Sequence, residues 1–248
     1  MTLARADLES LLRARQLDRT LTTAIPQTDP RDEHALAPSG IRALDARLGG
    51  GFPRGQISEL VGPRSSGRTS LLLQMMAAAT ARGELVALVD ALDMLDVESA
   101  AAAGVDLTRL LWIRGHIVMN QGLCRELNQR AIEQAIRAFT LVLQAGHFGL
   151  VVFDVGEAPA DAVRRLPFTT WLRVQRMVEG SQTACVLVGG EAMARSSAGL
   201  TLKCGSRNSE CGMRFHGALF DGLDVQARIV RARAREQEEV CVVLSTSA

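Results

Sequence analysis

A nine-residue segment of this chain has the residue types and the spacing of a phosphate-binding loop. Its sequence, GPRSSGRTS, consists of Gly62, Pro63, Arg64, Ser65, Ser66, Gly67, Arg68, Thr69 and Ser70. It fits the pattern GxxxxGK[ST] everywhere except at Arg68, where the pattern has lysine. In such loops glycines let successive backbone N–H groups surround a phosphate, and the following helix adds the positive end of its dipole. The hydroxyl of Thr69 would bind Mg²⁺. The segment therefore predicts a nucleotide-phosphate site.

The elements that must position this loop are predicted by apolar runs on either side of it. A strand, GQISELVG, precedes the loop, and a long apolar helix, SLLLQMMAAATARG, follows it. Further strands and helices then alternate: ELVALVD, ELNQRAIEQAIRAFTLVLQAG, LVVFDV, TTWLRVQRMVEG and TACVLVGG. These strands are apolar throughout rather than at every second residue, so both of their faces are covered. We expect an α/β fold with a mostly parallel sheet sandwiched by helices.

Three segments divide the chain. Residues 1–20 carry leucines close to helical spacing and predict an amphipathic helix, which either docks on a neighbouring molecule or folds back onto its own core. Residues 21–37 are polar, contain two prolines and predict a linker. Residues 38–248 predict one globular domain. Within it, DGLDVQARIVRARAR and EEVCVVLSTS predict a closing antiparallel strand pair.

Composition excludes several classes of protein. Hydrophobic residues make up 47% of the 248 and charged residues 22%, which is typical of a soluble globular chain. A net charge of +1 gives no global attraction to nucleic acid, so any such binding needs a local basic patch. The sequence shows neither a membrane span nor a signal peptide, and we expect a cytoplasmic protein. The five cysteines form no CxxC pair, which favours free thiols over a zinc or disulfide site.

The phosphate loop lies in a longer block that resembles the RecA family of recombinases. The block reads SGIRALDARLGGGFPRGQISELVGPRSSGRTSLLLQMMAAA, and it is followed by LVDALDMLD and AGVDLTRLL. Weaker similarity continues at LVVFDV and RIVRARAR, so the resemblance spans most of residues 39–244. It implies a RecA-like ATPase core, bound ATP and Mg²⁺, and association with DNA or with RecA itself.

Several positions depart from that family's pattern. The resemblance places Leu92 where the family has the glutamate that activates water, and Gly190 where it has the glutamine that senses the γ-phosphate. Ser99 replaces an aromatic residue that stacks on the base. Asp96, which resembles a residue that touches adenine, is kept. Asp154, the Mg²⁺-side carboxylate by resemblance, is kept as well.

Arg68 has two interpretations. A guanidinium still carries positive charge to the phosphates, so the change could be neutral in a chain with a single lysine. Its planar fork is bulkier than an ammonium group, however, and does not fit the same slot between phosphates. Together with Leu92 and Gly190, Arg68 favours weak or absent hydrolysis, because positioning and charge placement supply nearly all catalysis of phosphoryl transfer. We still expect some nucleotide binding.

Five arginines are candidates for an interface or for DNA contact. They are Arg164, Arg165, Arg195, Arg231 and Arg233. The first three lie in predicted loops, residues 156–168 and 191–199, which by resemblance are shortened DNA-binding loops. The last two share a strand face, and by resemblance they match a lysine pair that reaches a neighbouring subunit's nucleotide. A solvated edge strand that uses charge against aggregation is the alternative.

A RecA-like pattern that is kept while its catalytic residues are replaced resembles the ImuA family of RecA-like accessory proteins. Chain length, short loops and the absence of a RecA-type carboxy-terminal domain fit that family. The resemblance implies an adaptor in SOS mutagenesis and translesion synthesis. Its implied partners are an ImuB-like Y-family polymerase homologue, RecA and an error-prone replicative polymerase, with single-stranded DNA and self-association as further options. An active DNA-stimulated ATPase and a SulA-like inhibitor of cell division are the alternatives.

Overall fold

The computed structural model describes residues 36–115, 125–205, 213–216, 219–232 and 239–244. The predicted amino-terminal helix, most of the predicted linker and Arg233 lie outside these ranges. Leu36 and Ala37, the last two residues of the predicted linker, form a short strand that pairs with Phe52–Pro53.

Strands and helices alternate along the described chain. The strands are β1 (Leu36–Ala37), β2 (Phe52–Pro53), β3 (Ile57–Val61), β4 (Leu85–Asp90), β5 (Leu110–Arg114), β6 (Phe148–Asp154), β7 (Ala184–Gly189), β8 (Ala198–Cys204), β9 (Met213–His216), β10 (Leu219–Ala232) and β11 (Glu239–Leu244). The helices are α1 (Arg42–Leu48), α2 (Arg68–Ala81), α3 (Val97–Ala102), α4 (Arg125–Ala145), α5 (Ala160–Arg164) and α6 (Phe168–Val178). The predicted loop 156–168 therefore contains the short helix α5. The predicted loop 191–199 ends early, because β8 begins at Ala198.

Nine of the strands in the described residues form one sheet. Their order is β11-β10-β8-β3-β7-β6-β4-β5, and β9 pairs with β10. The six strands from β8 to β5 are joined by parallel pairings. β10 runs antiparallel to β8, and β11 runs antiparallel to β10. The predicted α/β fold with a mostly parallel sheet and a closing antiparallel pair is thus confirmed.

Both faces of the sheet are covered, as the uniformly apolar strands predicted. Along β4, Val86 and Leu88 belong to one core cluster, whereas Ala87 and Val89 belong to the other. Successive side chains of a strand point to opposite faces, so each face needs its own layer of helices. Helix α2 lies in the first cluster, and α4 and α6 lie in the second. Among the described helices, none has the length and apolarity that crossing a membrane requires.

The parallel arrangement brings four strand ends to one edge of the sheet. β3, β7, β6 and β4 are neighbours in that order. Asp90 at the end of β4 is in register with Asp154 at the end of β6, and Asp154 is in register with Val188 of β7. Ligands of open parallel sheets bind outside the carboxyl ends of the strands. This edge therefore holds the candidate site.

Candidate nucleotide site

The phosphate loop links β3 to α2, as its sequence predicts. Gly67 has a φ of +85° and Ser65 a φ of +60°, and these left-handed residues turn the chain sharply into the helix. A Cβ atom on Gly62 would overlap the carbonyl oxygen of Cys204, so only glycine fits there. Helix α2 starts directly at Arg68 with no side-chain cap. Its first N–H groups are thus available to an anion.

Ser66 supplies an independent sign that the loop fits a phosphate group. Its side chain is buried, with 8% exposed, and its hydroxyl oxygen has no hydrogen-bond partner within the described structure. A buried polar atom without a partner costs free energy and calls for an explanation. A bound phosphate would explain it. The unpartnered hydroxyl of Ser66 is therefore compatible with the predicted phosphate ligand.

A cavity of about 310 Å³ lies beside the loop. It is lined by loop and helix residues together with three carboxylates, and its polar lining includes Arg64, Arg68, Thr69, Asp90, Asp154 and Glu157. We refer to it as the phosphate-loop cavity. Of the predicted loop residues, Arg64, Ser65, Arg68 and Thr69 line it together with Asp154, whereas Pro63 lines the second cavity described below. Leu92 lines it as well, so an apolar side chain stands at the position that the family resemblance gives to the general base.

Asp154 and Asp90 form the acidic wall of this cavity. Asp90 is held by the N–H groups of Leu92 and Leu95, at 3.3 and 2.8 Å, and by the indole N–H of Trp112 at 3.3 Å. Asp154 accepts only a 2.8 Å hydrogen bond from Gly156 N among the bonds described for it. Burial, helped by the nearby charges of Asp90 and Glu157, raises the pKa of Asp154 to about 6.

The raised pKa of Asp154 predicts a specific stability profile for Asp154→Asn. A carboxyl group whose pKa is higher in the folded than in the unfolded state stabilises the fold while it is protonated. That stabilisation is lost as pH rises through about 6, and above this pH the buried ionised group lowers the free energy of unfolding. We expect the variant to be more stable than the parent by about 1–3 kcal/mol near pH 8, with the difference vanishing below about pH 4. Urea unfolding at several pH values measures this.

The exposed Glu179 provides the control for that measurement, since Glu179→Gln removes a carboxylate away from the cavity and should leave the profile unchanged. A parent and an Asp154→Asn variant of equal stability near pH 8 would contradict the prediction.

Arg68 does not project freely into the phosphate-loop cavity. Its side chain is 7% exposed, and its Nη2 lies 3.2 Å from Oε1 of Glu157. The same guanidinium donates weakly to the carbonyl oxygen of Gly156, at 3.4 Å. The other carboxylate oxygen of Glu157 lies 3.5 Å from Nε of Arg64. Glu157 therefore acts as an internal anion that pairs with the buried Arg68 and lies at ion-pair distance from the exposed Arg64.

Sequence reasoning missed Glu157. Two features of the sequence could have indicated it. Glu157 lies three residues after Asp154, at the sheet edge where the phosphate loop is expected, and that loop has an arginine in place of lysine. A planar guanidinium can pair with a carboxylate in a way that an ammonium group cannot, so the substitution itself pointed to such a partner.

Asp93 and Asp96 each stabilise the segment that follows β4. Asp93 receives two hydrogen bonds of 2.6 Å from Arg114, so it does not replace the missing base at Leu92. Asp96 caps α3, where it accepts from Glu98 N and from the backbone and hydroxyl of Ser99. The bond from the Ser99 hydroxyl lowers the pKa of Asp96. Asp96 does not line the phosphate-loop cavity, and its contact with adenine stays a prediction.

Three of the predicted cationic residues lie around a second cavity. This cavity, of about 510 Å³, lies between the segments that follow β6 and β7, and both Arg164 and Arg195 line it. Arg231 donates to the carbonyl oxygen of Arg195 at 2.5 Å, which joins the closing strand to this site. Arg165 is exposed and does not line the cavity. Gly190 lines this second cavity rather than the phosphate-loop cavity.

Comparison with known proteins agrees with this geometry. The model of the family "RecA N-terminal domain" matches residues 23–155, just over half of the chain. Protein RecA of Acholeplasma laidlawii is 41% identical over 118 residues, which are 47% of this chain and 31% of that protein. Protein RecA of Salinispora tropica is 48% identical over 126 residues, 50% of this chain and 32% of that protein.

A third relative, Protein RecA of Clavibacter michiganensis, is 38% identical over 128 residues, 51% of this chain and 32% of that protein. The chain thus spans about a third of the length of the curated relatives it matches. The strand–loop–helix geometry at Gly62–Ser70 and the parallel sheet behind it lie largely within the matched region. This chain therefore belongs to the RecA N-terminal domain family.

Proposed function

We propose that this chain is a RecA-family accessory protein of the ImuA type, which binds Mg²⁺–ATP weakly and hydrolyses it slowly or not at all. The observation that carries the proposal is the ion pair between Arg68 and Glu157, which engages the loop's own cation inside the site. Leu92 in the same cavity supports it, because a general base contributes about 10²–10⁴-fold to catalysis. Thr69 and Asp154 would hold the metal ion that neutralises phosphate charge.

In this proposal the chain acts in the cytoplasm as an adaptor during SOS mutagenesis. Its partners would be an ImuB-like Y-family polymerase homologue, RecA and an error-prone replicative polymerase, and it could also self-associate or hold single-stranded DNA. Support comes from the exposed Arg195 and Arg231 beside the second cavity, since clustered cations favour acidic protein surfaces and phosphates.

Turnover by the purified protein tests the proposal. We expect at most slow phosphate release, not stimulated by single-stranded DNA, because the water-activating carboxylate is absent at Leu92. Phosphate release is followed at saturating Mg²⁺–ATP, and co-purification with the three proposed partners is measured in parallel. DNA-stimulated turnover that disappears in Thr69→Ala would overturn the first half of the proposal, and a lack of affinity for all three partners the second.

An active DNA-stimulated ATPase is the second candidate function. It is favoured by the intact main-chain cradle at Gly62 and Gly67 and by the carboxylates Asp90 and Asp154 on the cavity wall. The same turnover experiment separates the two candidates, because only this one requires multiple turnovers.

A further inference from the structure

The second cavity combines an apolar lining with charged residues. Its apolar lining includes Val155, Val163, Leu166, Phe168 and Met193. With a volume of about 510 Å³, it has the size of a small-ligand or side-chain pocket. The phosphate-loop cavity is a separate space, although Gly156 lines both.

Hydrogen bonds hold part of each wall of this cavity in place. On one side, Glu59 is 1% exposed and accepts hydrogen bonds of 2.7 Å from both Met193 N and Ala194 N. On the other side, Leu166 N donates to the carbonyl oxygen of Val163, which closes a turn just after α5. A preformed cavity costs its ligand little reorganisation energy.

Gly190 leaves the cavity accessible. A Cβ atom added there would meet no heavy atom within 4 Å, and the residue does not need a left-handed backbone. A larger side chain at this position would therefore occupy free space without straining the fold. Because Gly190 lines the cavity, it is a position at which a larger side chain can be placed to test binding there.

The rim of the cavity is cationic. It carries Arg164, Arg195 and Lys203, all of them exposed. Glu191 balances Arg164 through bonds of 3.0 and 2.8 Å, and the positive charges of Arg195 and Lys203 remain. An apolar interior with such a rim is complementary to an apolar group that is flanked by anionic groups.

We propose that this cavity binds an acidic peptide segment of a partner protein, with one large apolar side chain of the peptide inserted between the two walls. The cavity would be the surface through which the adaptor holds a partner protein, so this inference rests on the proposed function. A peptide fits better than nucleic acid because bases need exposed aromatic faces. Of the two rings that line the cavity, Trp171 is only 2% exposed and packs edge-on against Phe153, 6.3 Å between ring centroids, and Phe168 is half-buried.

Selection from a random-peptide phage library on the full-length protein tests this proposal. We expect enriched peptides to carry a large apolar residue next to Asp or Glu. A synthetic peptide of the enriched sequence should lose affinity about tenfold or more with Gly190→Leu, because an anchor in a central pocket dominates binding. Arg195→Glu combined with Lys203→Glu should also weaken it, and the loss should shrink at high salt. The exposed Arg137, on α4 and away from the cavity, provides the control variant Arg137→Glu.

Three results would overturn the proposal: no enriched acidic peptide, binding that is unchanged by Gly190→Leu, or oligothymidylate binding that Gly190→Leu abolishes in place of peptide binding. Circular dichroism and urea unfolding of Gly190→Leu establish that its fold is retained. Failure here is distinguishable from failure of the proposed function, because nucleotide turnover and co-purification of the polymerase partners are measured on the parent protein without any peptide.

Discussion

Replacing Glu157 by glutamine is expected to tighten the binding of Mg²⁺–ATP about tenfold to a hundredfold. In the parent protein the carboxylate of Glu157 contacts Arg68 at 3.2 Å and Arg64 at 3.5 Å. A nucleotide phosphate must displace this internal anion before it gains the same two cations. Glutamine keeps the size of the side chain but removes the competing charge. Equilibrium titration with a fluorescent ATP analogue measures the change.

The same substitution acts on the metal side of the site. The negative charge of Glu157 contributes to the raised pKa of Asp154, so its removal should lower that pKa and favour the ionised form that Mg²⁺ needs. In the parent protein we accordingly expect Mg²⁺–ATP binding to weaken as pH falls through about 6, because Asp154 takes up a proton there. In Glu157→Gln this midpoint should move to lower pH.

Glu191→Gln is the matched control for the affinity measurement. Glu191 also pairs with an arginine, Arg164, but it lines the second cavity and not the phosphate-loop cavity. Its variant should bind nucleotide like the parent. Equal affinity of parent and Glu157→Gln would mean that the ion pair with Arg68 does not compete with phosphate, and the account of a self-occupied site would fail.

Replacing Glu59 by leucine is expected to destabilise the protein by about 3–5 kcal/mol. Glu59 lies on β3, almost fully buried, and its carboxylate accepts from Met193 N, Ala194 N and the hydroxyl of Thr201. Leucine would leave both N–H groups buried without an acceptor, and each such loss costs about 1–3 kcal/mol. The free energy of unfolding, from urea titration followed by circular dichroism, measures the effect.

Glu59→Gln separates the role of the hydrogen bonds from the role of burial. Its amide oxygen can still accept from the two N–H groups, and its NH₂ can donate to Thr201, so we expect a much smaller loss. If leucine and glutamine destabilised the protein equally, the three hydrogen bonds would not be what anchors the segment after β7.

The core of the site could be predicted because it depends on local sequence. The glycines and serines of the loop, the apolar run before it and the helix-forming run after it specify strand, turn and helix over residues 57–81. The sheet covered on both faces could be predicted for the same reason. A strand that is apolar at every position must be buried on both sides, and this is visible within the strand itself.

Contacts between distant residues could not be predicted in this way. Glu157 meets Arg68 across 89 positions of the chain, and Glu59 meets Met193 across 134. Neither carboxylate lies in a motif, so their roles follow only from how the strands are ordered in the sheet. The hydrogen bond from Arg231 to the carbonyl oxygen of Arg195 is another such contact, because it depends on the pairing of β10 with β8.

The close approach of Gly62 to the carbonyl oxygen of Cys204 has a mechanical consequence. At this point the turn that would hold a phosphate and the end of β8 are packed main chain against main chain, with no room for a side chain between them. Lys203, on the rim of the second cavity, is the residue just before that contact. A side chain at position 62 is therefore expected to displace the strand end next to Lys203 as well as the phosphate loop itself.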